Sequence, residues 1–147
     1  MTPHIETLTR LVTLILAVVV SLGVAIAAEA ADLPVFRKGL WEYTRTVETP
    51  GTQAKPVTMT NKKCTDPSAD MKAMQALLAK QGCKISPLTA KGNQYMSSSE
   101  CTVQGKAMSS RTVITVDSDS SYKVEVSSKG GGRSTKELLV AKRVGAC

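Results

Sequence analysis

Four cysteines, Cys64, Cys83, Cys101 and Cys147, follow an opening that has the form of an export leader. No other feature restricts the fold as strongly. Thiols carried out of the cytoplasm end as structural disulfides, so the chain is expected to be a small domain held by two covalent bridges. The leader runs from Met1. Arg10 is the last charge before an uncharged apolar run of 18 residues, Leu11 to Ala28, and small residues follow in Ala28-Glu29-Ala30. A charged start, an apolar middle and an A-x-A exit are the parts of a cleavable signal peptide. Cleavage is expected after Ala30, with Ala27 as the other site that obeys the small-residue rule. No cysteine precedes Cys64, so the leader has no thiol to carry a lipid.

Cleavage at Ala30 leaves residues 31–147 as a single disulfide-stapled β domain. Losing Arg10, Glu6 and Glu29 lifts the formal charge from +7 to +8. A chain of this length supports one modest core. Its aromatics are few (Phe36, Trp41, Tyr43, Tyr95 and Tyr122), and serine and threonine occupy many strand positions. Covalent staples therefore matter more than usual.

Period-two alternation opens the domain. Trp41, Tyr43, Arg45 and Val47 share one face of an extended run and Glu42, Thr44, Thr46 and Glu48 the other, the pattern of a half-buried strand. Thr49-Pro50-Gly51 breaks it, and a second strand follows over Pro56 to Cys64. A turn centred near Thr52 brings Tyr43 opposite Asn61 and Arg45 opposite Met59. Asp66-Pro67 reads as a helix N-cap with proline at the first helical position. Met71, Met74, Leu77 and Leu78 then recur at helical spacing, as a core stripe, until Lys80 and Gly82 end the helix. Turn signals at Lys91-Gly92-Asn93, Gln104-Gly105, Asp117 to Ser121 and Gly130-Gly131-Gly132 separate the remaining β runs. The expected class is mainly β (α+β). It is a curled antiparallel meander of about seven strands, open to closure into a barrel, with one helix inserted after strand two.

Four cysteines allow three pairings. A three-residue loop at Lys91-Gly92-Asn93 makes the flanking strands symmetric about Gly92 and sets Cys83 opposite Cys101. Pro87, which has no N–H, then fits a non-hydrogen-bonded position of the same parity. Such pairs bring Cα atoms about 4.5 Å apart, within disulfide reach. The expected bridges are Cys83–Cys101 and Cys64–Cys147. The rival set is Cys64–Cys83 bracketing the helix, with Cys101–Cys147.

The chemistry the chain lacks is equally informative. Its one histidine, His4, sits in the leader, so the mature domain has no imidazole for a nucleophile pair, a general base or a metal. No C-x-x-C is present, and the triple glycine lacks the Lys-Ser/Thr of a phosphate loop. Asp117 and Asp119 read as turn residues, since a calcium loop needs more oxygen ligands. Glu42 and Glu100 are the carboxylates left for acid–base work. No catalytic, cofactor or metal residue is assigned. The basic charge is spread along the chain, and with few aromatics for stacking it excludes nucleic acid as the natural partner.

The assembled pattern is recognisable. A leader precedes Gly39-Leu40-Trp41-Glu42, then come Cys64 before an Asp-Pro helix, Gly82-Cys83, Cys101, and a closing Arg143-Val144-Gly145-Ala146-Cys147. This resembles the bacterial secreted family catalogued as domain of unknown function 3617, across nearly the whole mature chain. The later strands of that family are often rich in glycine and methionine; here they are rich in serine. The resemblance implies a Gram-negative envelope protein, periplasmic or secreted, and carries over no reaction. It marks Gly39 to Glu42 as a fold-defining strand start.

The expected function is that of a monomeric, non-enzymatic binding or accessory protein. Its partner is a small apolar ligand, an anionic envelope lipid or an envelope protein. A pocket would show as inward small residues leaving a void. Trp41 and Tyr43 are the candidate ligand or core anchors. An inhibitor of an envelope enzyme and a carboxylate-dependent enzyme are the alternatives.

Overall fold

The computed structural model describes residues 30–147. The leader expected before them lies outside that range. Eight strands form one antiparallel sheet: β1 (Gly39–Glu48), β2 (Val57–Thr65), β3 (Lys84–Ile85), β4 (Thr89–Lys91), β5 (Gln94–Val103), β6 (Lys106–Ser118), β7 (Ser121–Gly130) and β8 (Arg133–Gly145). One helix, α1 (Pro67–Lys80), follows β2. The sheet order is β2-β1-β8-β7-β6-β5-β3, with β4 also on β5.

The β1–β2 hairpin has the register the alternation predicts, Tyr43 opposite Asn61 and Arg45 opposite Met59. Its outward face is polar: Thr44 and Thr60 hydroxyls meet at 3.2 Å, Thr46 and Thr58 at 3.0 Å, and Lys62 reaches Glu42 at 3.2 Å. The helix starts as Asp66 Oδ1 accepts the Ala69 N–H at 3.2 Å, with Pro67 behind it. That hydrogen bond is the main reason the Asp66 carboxyl lies below the ordinary carboxylate range. The helix ends in a Schellman motif: Gly82 N–H donates to Ala79 O and Cys83 N–H to Leu78 O, both at 3.0 Å. The motif delivers Cys83 to the sheet edge.

Two expectations need correction. The segment after the helix is two strands rather than one, which raises the count to eight. Lys91 pairs with Gln94, so the loop is the two-residue Gly92-Asn93, not a three-residue loop. Gly92 takes φ 60° at its first position, the requirement of a tight II′ hairpin turn that glycine meets without strain. Lys84, in contrast, pairs with Glu100, one residue out of step with β4. The slip is absorbed at Ser86–Leu88, where Pro87 offers no N–H and the Ser86 hydroxyl accepts the Ser98 N–H at 2.9 Å. The compensated slip leaves Cys83 beside Cys101, with Cα atoms 4.3 Å apart.

Second, the sheet does not close into a barrel. β2 lies at one edge and β3 at the other, and they do not pair. The chain instead crosses between these edges through α1, which lies over the concave face. Cys64 and Cys147 are joined at the β2 side, with Cα atoms 5.8 Å apart. Between them runs the start of β1, where Leu40 pairs with Cys64 on one side and Gly145 on the other.

The core sits at one end of the concave face. Phe36, Trp41, Ile114, Tyr122 and Ala141 are buried together, with Tyr43, Met71, Tyr95, Val116 and Val124 packed against them. Trp41 is fully buried, and its indole N–H donates to Arg37 O at 2.9 Å. Its ring stands 5.5 Å from Tyr122 and 6.1 Å, edge-on, from Phe36. The irregular segment before β1 straps this end shut: Ser68 Oγ accepts the Phe36 N–H at 2.8 Å and Asp119 O accepts the Arg37 N–H at 2.9 Å.

Candidate functional site

The helix does not complete the core. Of its residues only Pro67 is buried; Met74 and Leu77 remain 56% and 48% exposed. The expected stripe therefore splits. Met71 packs on the core, Met74 and Leu78 face a cleft beneath the helix, and Leu77 turns outward. The cleft has a volume of about 530 Å³, within the range of small-molecule sites.

Its floor can be followed through the ladder, two residues at a time. The innermost row, Val116, Tyr122, Ala141 and Tyr43, belongs to the core. The next row, Ile114, Val124 and Leu139, is the apolar inner floor of the cleft. A mixed row follows, with Ser97, Thr112, Val126 and Glu137. Beyond it Ser99, Ser110, Ser128 and Thr135 align across four strands as a row of hydroxyls. The outermost row is Cys101, Met108, Gly130 and Arg133. Gly130 has no side chain because Met108 leans across it; a Cβ there would meet Met108 Cγ at 2.5 Å.

Small hydroxylated residues are what leave this space. Leucine or phenylalanine at Ser97, Ser99, Ser110 and Thr112 would fill it against Met74 and Leu78. Ser110 and Ser128 hydroxyls meet at 2.8 Å, whereas those of Ser97, Ser99 and Thr112 have no protein partner among the described residues and open to the cleft. Glu137 lines the cleft wall and is held by Arg45 at 2.6 Å. A larger hollow of about 760 Å³ lies across Leu33 and Gln75, but Asp32 and Lys72 on its wall are exposed and charged.

Trp41 and Tyr43 stand apart from this cleft. Trp41 is the centre of the aromatic core, and Tyr43 packs against it beside Tyr122. Burial raises the pKa of both tyrosine hydroxyls, Tyr122 the more strongly. The serines were visible as a departure from glycine- and methionine-rich strands. Their inward parity, in Ser97, Ser99 and Cys101 against Met108, Ser110 and Thr112, was the available signal.

Glu42 and Glu100 are not brought together. They lie on the convex face of β1 and β5 with three strands between, about 19 Å across the sheet, and toward opposite ends of the strands, which separates them further. Paired carboxylates that cleave glycosides work at about 5–10 Å. Asp117 lies near the end of β6 and Asp119 in the β6–β7 turn, where Ser120 Oγ donates to Asp119 Oδ1 at 2.7 Å. Among the described residues no cluster of metal-ligating side chains occurs.

Residues 36–147 match the family described as protein of unknown function (DUF3617). The chain belongs to that family. No curated protein and no solved structure matches it. The two ends of the family pattern meet in space. Gly39 has φ 153°, and a Cβ there would come within 2.5 Å of both Gly145 O and Arg143 Nε. The gap admits Arg143, whose Nε donates to Lys38 O at 2.8 Å while its N–H donates to Ser120 O at 2.9 Å. Gly39-Leu40-Trp41 and Arg143-x-Gly145-x-Cys147 are thus one architectural junction, stapled by Cys64–Cys147. In this chain the signature holds the fold, and apart from Cys83 and Cys101 the cleft is lined by residues outside it.

Proposed function

We propose that this protein is an exported, non-catalytic binding protein of the bacterial envelope, carrying a small apolar ligand between α1 and the concave face of the sheet. The observation that carries this reading is the cleft itself. Its inner floor of Ile114, Val124 and Leu139 faces Met74 and Leu78 across open space. A domain with so few buried apolar side chains among its described residues forgoes filling that space. Methionines at the wall suit a ligand of variable shape. Export is supported by the leader pattern, and two disulfides fit an oxidising compartment.

Native mass spectrometry of the mature protein, isolated gently from a bacterial envelope, tests the reading. A species heavier than the disulfide-bonded chain, lost on organic extraction, is expected. Gln75→Trp from the helix side and Thr112→Trp from the floor should each abolish it while leaving the β-sheet circular dichroism unchanged. A chain without retained mass that also fails to bind the neutral probe N-phenylnaphthylamine overturns the carrier reading.

A further inference from the structure

The cleft is polar at one end only, and the geometry points to its occupant: a single-chain anionic amphiphile, tail inward on Ile114, Val124 and Leu139, head group at the outer hydroxyl row. This inference rests on the carrier reading and adds direction and charge to it. Successive rows on one face lie about 6.7 Å apart, so the Ser99–Ser110 row stands about 13 Å from the Ile114–Val124 row. An occupant that spans both rows meets apolar side chains at one end and hydroxyls at the other. Ser99, whose hydroxyl has no hydrogen-bond partner among the described residues, offers an O–H to an acceptor there.

The charge of the head follows from what surrounds the outer rows. Arg133 stands in the row just outside the hydroxyls, and Lys106 lies two residues beyond Met108 on the same face of β6. Both are exposed, and neither enters an ion pair among the described residues. The one carboxylate on the wall, Glu137, is already engaged by Arg45. A carboxylate or phosphate head meets two unengaged cations and hydroxyl donors; a cationic head meets repulsion. One cleft of about 530 Å³ suits one alkyl chain rather than the two of a diacyl lipid.

The test uses the mature disulfide-bonded protein loaded with N-phenylnaphthylamine, displaced by dodecanoate, dodecanol or dodecyltrimethylammonium below their aggregation limits. Dodecanoate should displace the probe at about tenfold lower concentration than the ammonium compound, with dodecanol between. Lys106→Gln combined with Arg133→Gln should erase the preference for dodecanoate and leave dodecanol unchanged. Lys123→Gln with Lys142→Gln, the same charge change on the convex face, should leave the preference intact. Equal displacement by all three compounds, or a preference that survives the Lys106/Arg133 change, overturns the anionic-head assignment while the apolar cleft stands. Failure of every compound to displace the probe overturns both.

Discussion

Opening the Cys64–Cys147 bridge should be the most damaging covalent change available to this domain, and its cost follows from topology. The bridge joins residues 83 apart, the Cys83–Cys101 bridge residues only 18 apart, and the second lies inside the first. With the inner bridge intact, the outer one closes an effective loop of about 65 residues, worth about 4.3 kcal/mol at 25 °C in the chain-entropy treatment. The inner bridge is worth about 3.2 kcal/mol on the same footing. Cys64 and Cys147 are exposed, so their replacement by alanine forfeits little native packing. Cys83 and Cys101 are half-buried on the cleft wall, which narrows the difference of about 1.1 kcal/mol between the two deletions.

The assay is urea unfolding of Cys64→Ala/Cys147→Ala and Cys83→Ala/Cys101→Ala beside the parent. The outer deletion should lower the midpoint further and raise the slope m, because its denatured state exposes more surface. A loss below about 1 kcal/mol with m unchanged would refute the reasoning. It would mean that the β2–β1–β8 junction keeps the denatured chain closed without the covalent link.

Three further outcomes are expected. Trp41→Ala should cost about 4 kcal/mol by calorimetry, since it empties the aromatic core and leaves Arg37 O without its donor; a loss under about 1 kcal/mol would contradict the placement of Trp41 at the core centre. Gly39→Ala should destabilise the chain by about 2 kcal/mol or more, through the close approach of Gly145 O and Arg143, with Arg143→Ala recovering little because the backbone clash persists. Tyr122 has its pKa raised in the folded state by burial, so its contribution is fully present below the ordinary tyrosine value of 10.0 and is lost as pH rises above it. Tyr122→Phe should therefore flatten the alkaline limb of a stability–pH profile, and an unchanged limb would show that another group drives it.

What the amino-acid sequence disclosed depended on how sharply each local rule singles out one geometry. Asp66-Pro67 and Gly82 bracket the helix because a cap, an N-terminal proline and a Schellman glycine each satisfy backbone groups that only a helix end leaves open. The alternation from Trp41 to Glu48 determines the β1–β2 register because a one-residue slip would turn every apolar side chain to water. Lys91-Gly92-Asn93 carries no such penalty. Glycine serves a two- or a three-residue loop, and the one-residue difference is hidden by the irregularity at Pro87. The cleft was less legible still. A serine facing a void and a serine facing solvent look alike in a strand of mixed polarity, and only the position of α1 above them separates the two.

The void and the staples belong to one design. A sheet covered by a helix ordinarily gains its stability by filling the space between them, and a domain of this size has little core to forgo. Here both ends of the covering helix are tied by covalent bridges rather than by filling the cleft. Cys64 stands two residues before the Asp66 cap, bonded to Cys147, and Cys83 emerges from the Schellman motif bonded to Cys101. Inner-end packing by Phe36, Trp41 and Tyr122 and the long ladders from β5 to β1 supply the rest. Held at both ends, α1 need not collapse onto Ser97, Ser99, Ser110 and Thr112 to keep its place. The outer floor of the cleft is thereby released from structural duty, which stays with the aromatic core and the junction of β1 and β8. Serine and threonine on the outer floor are what that division of labour predicts.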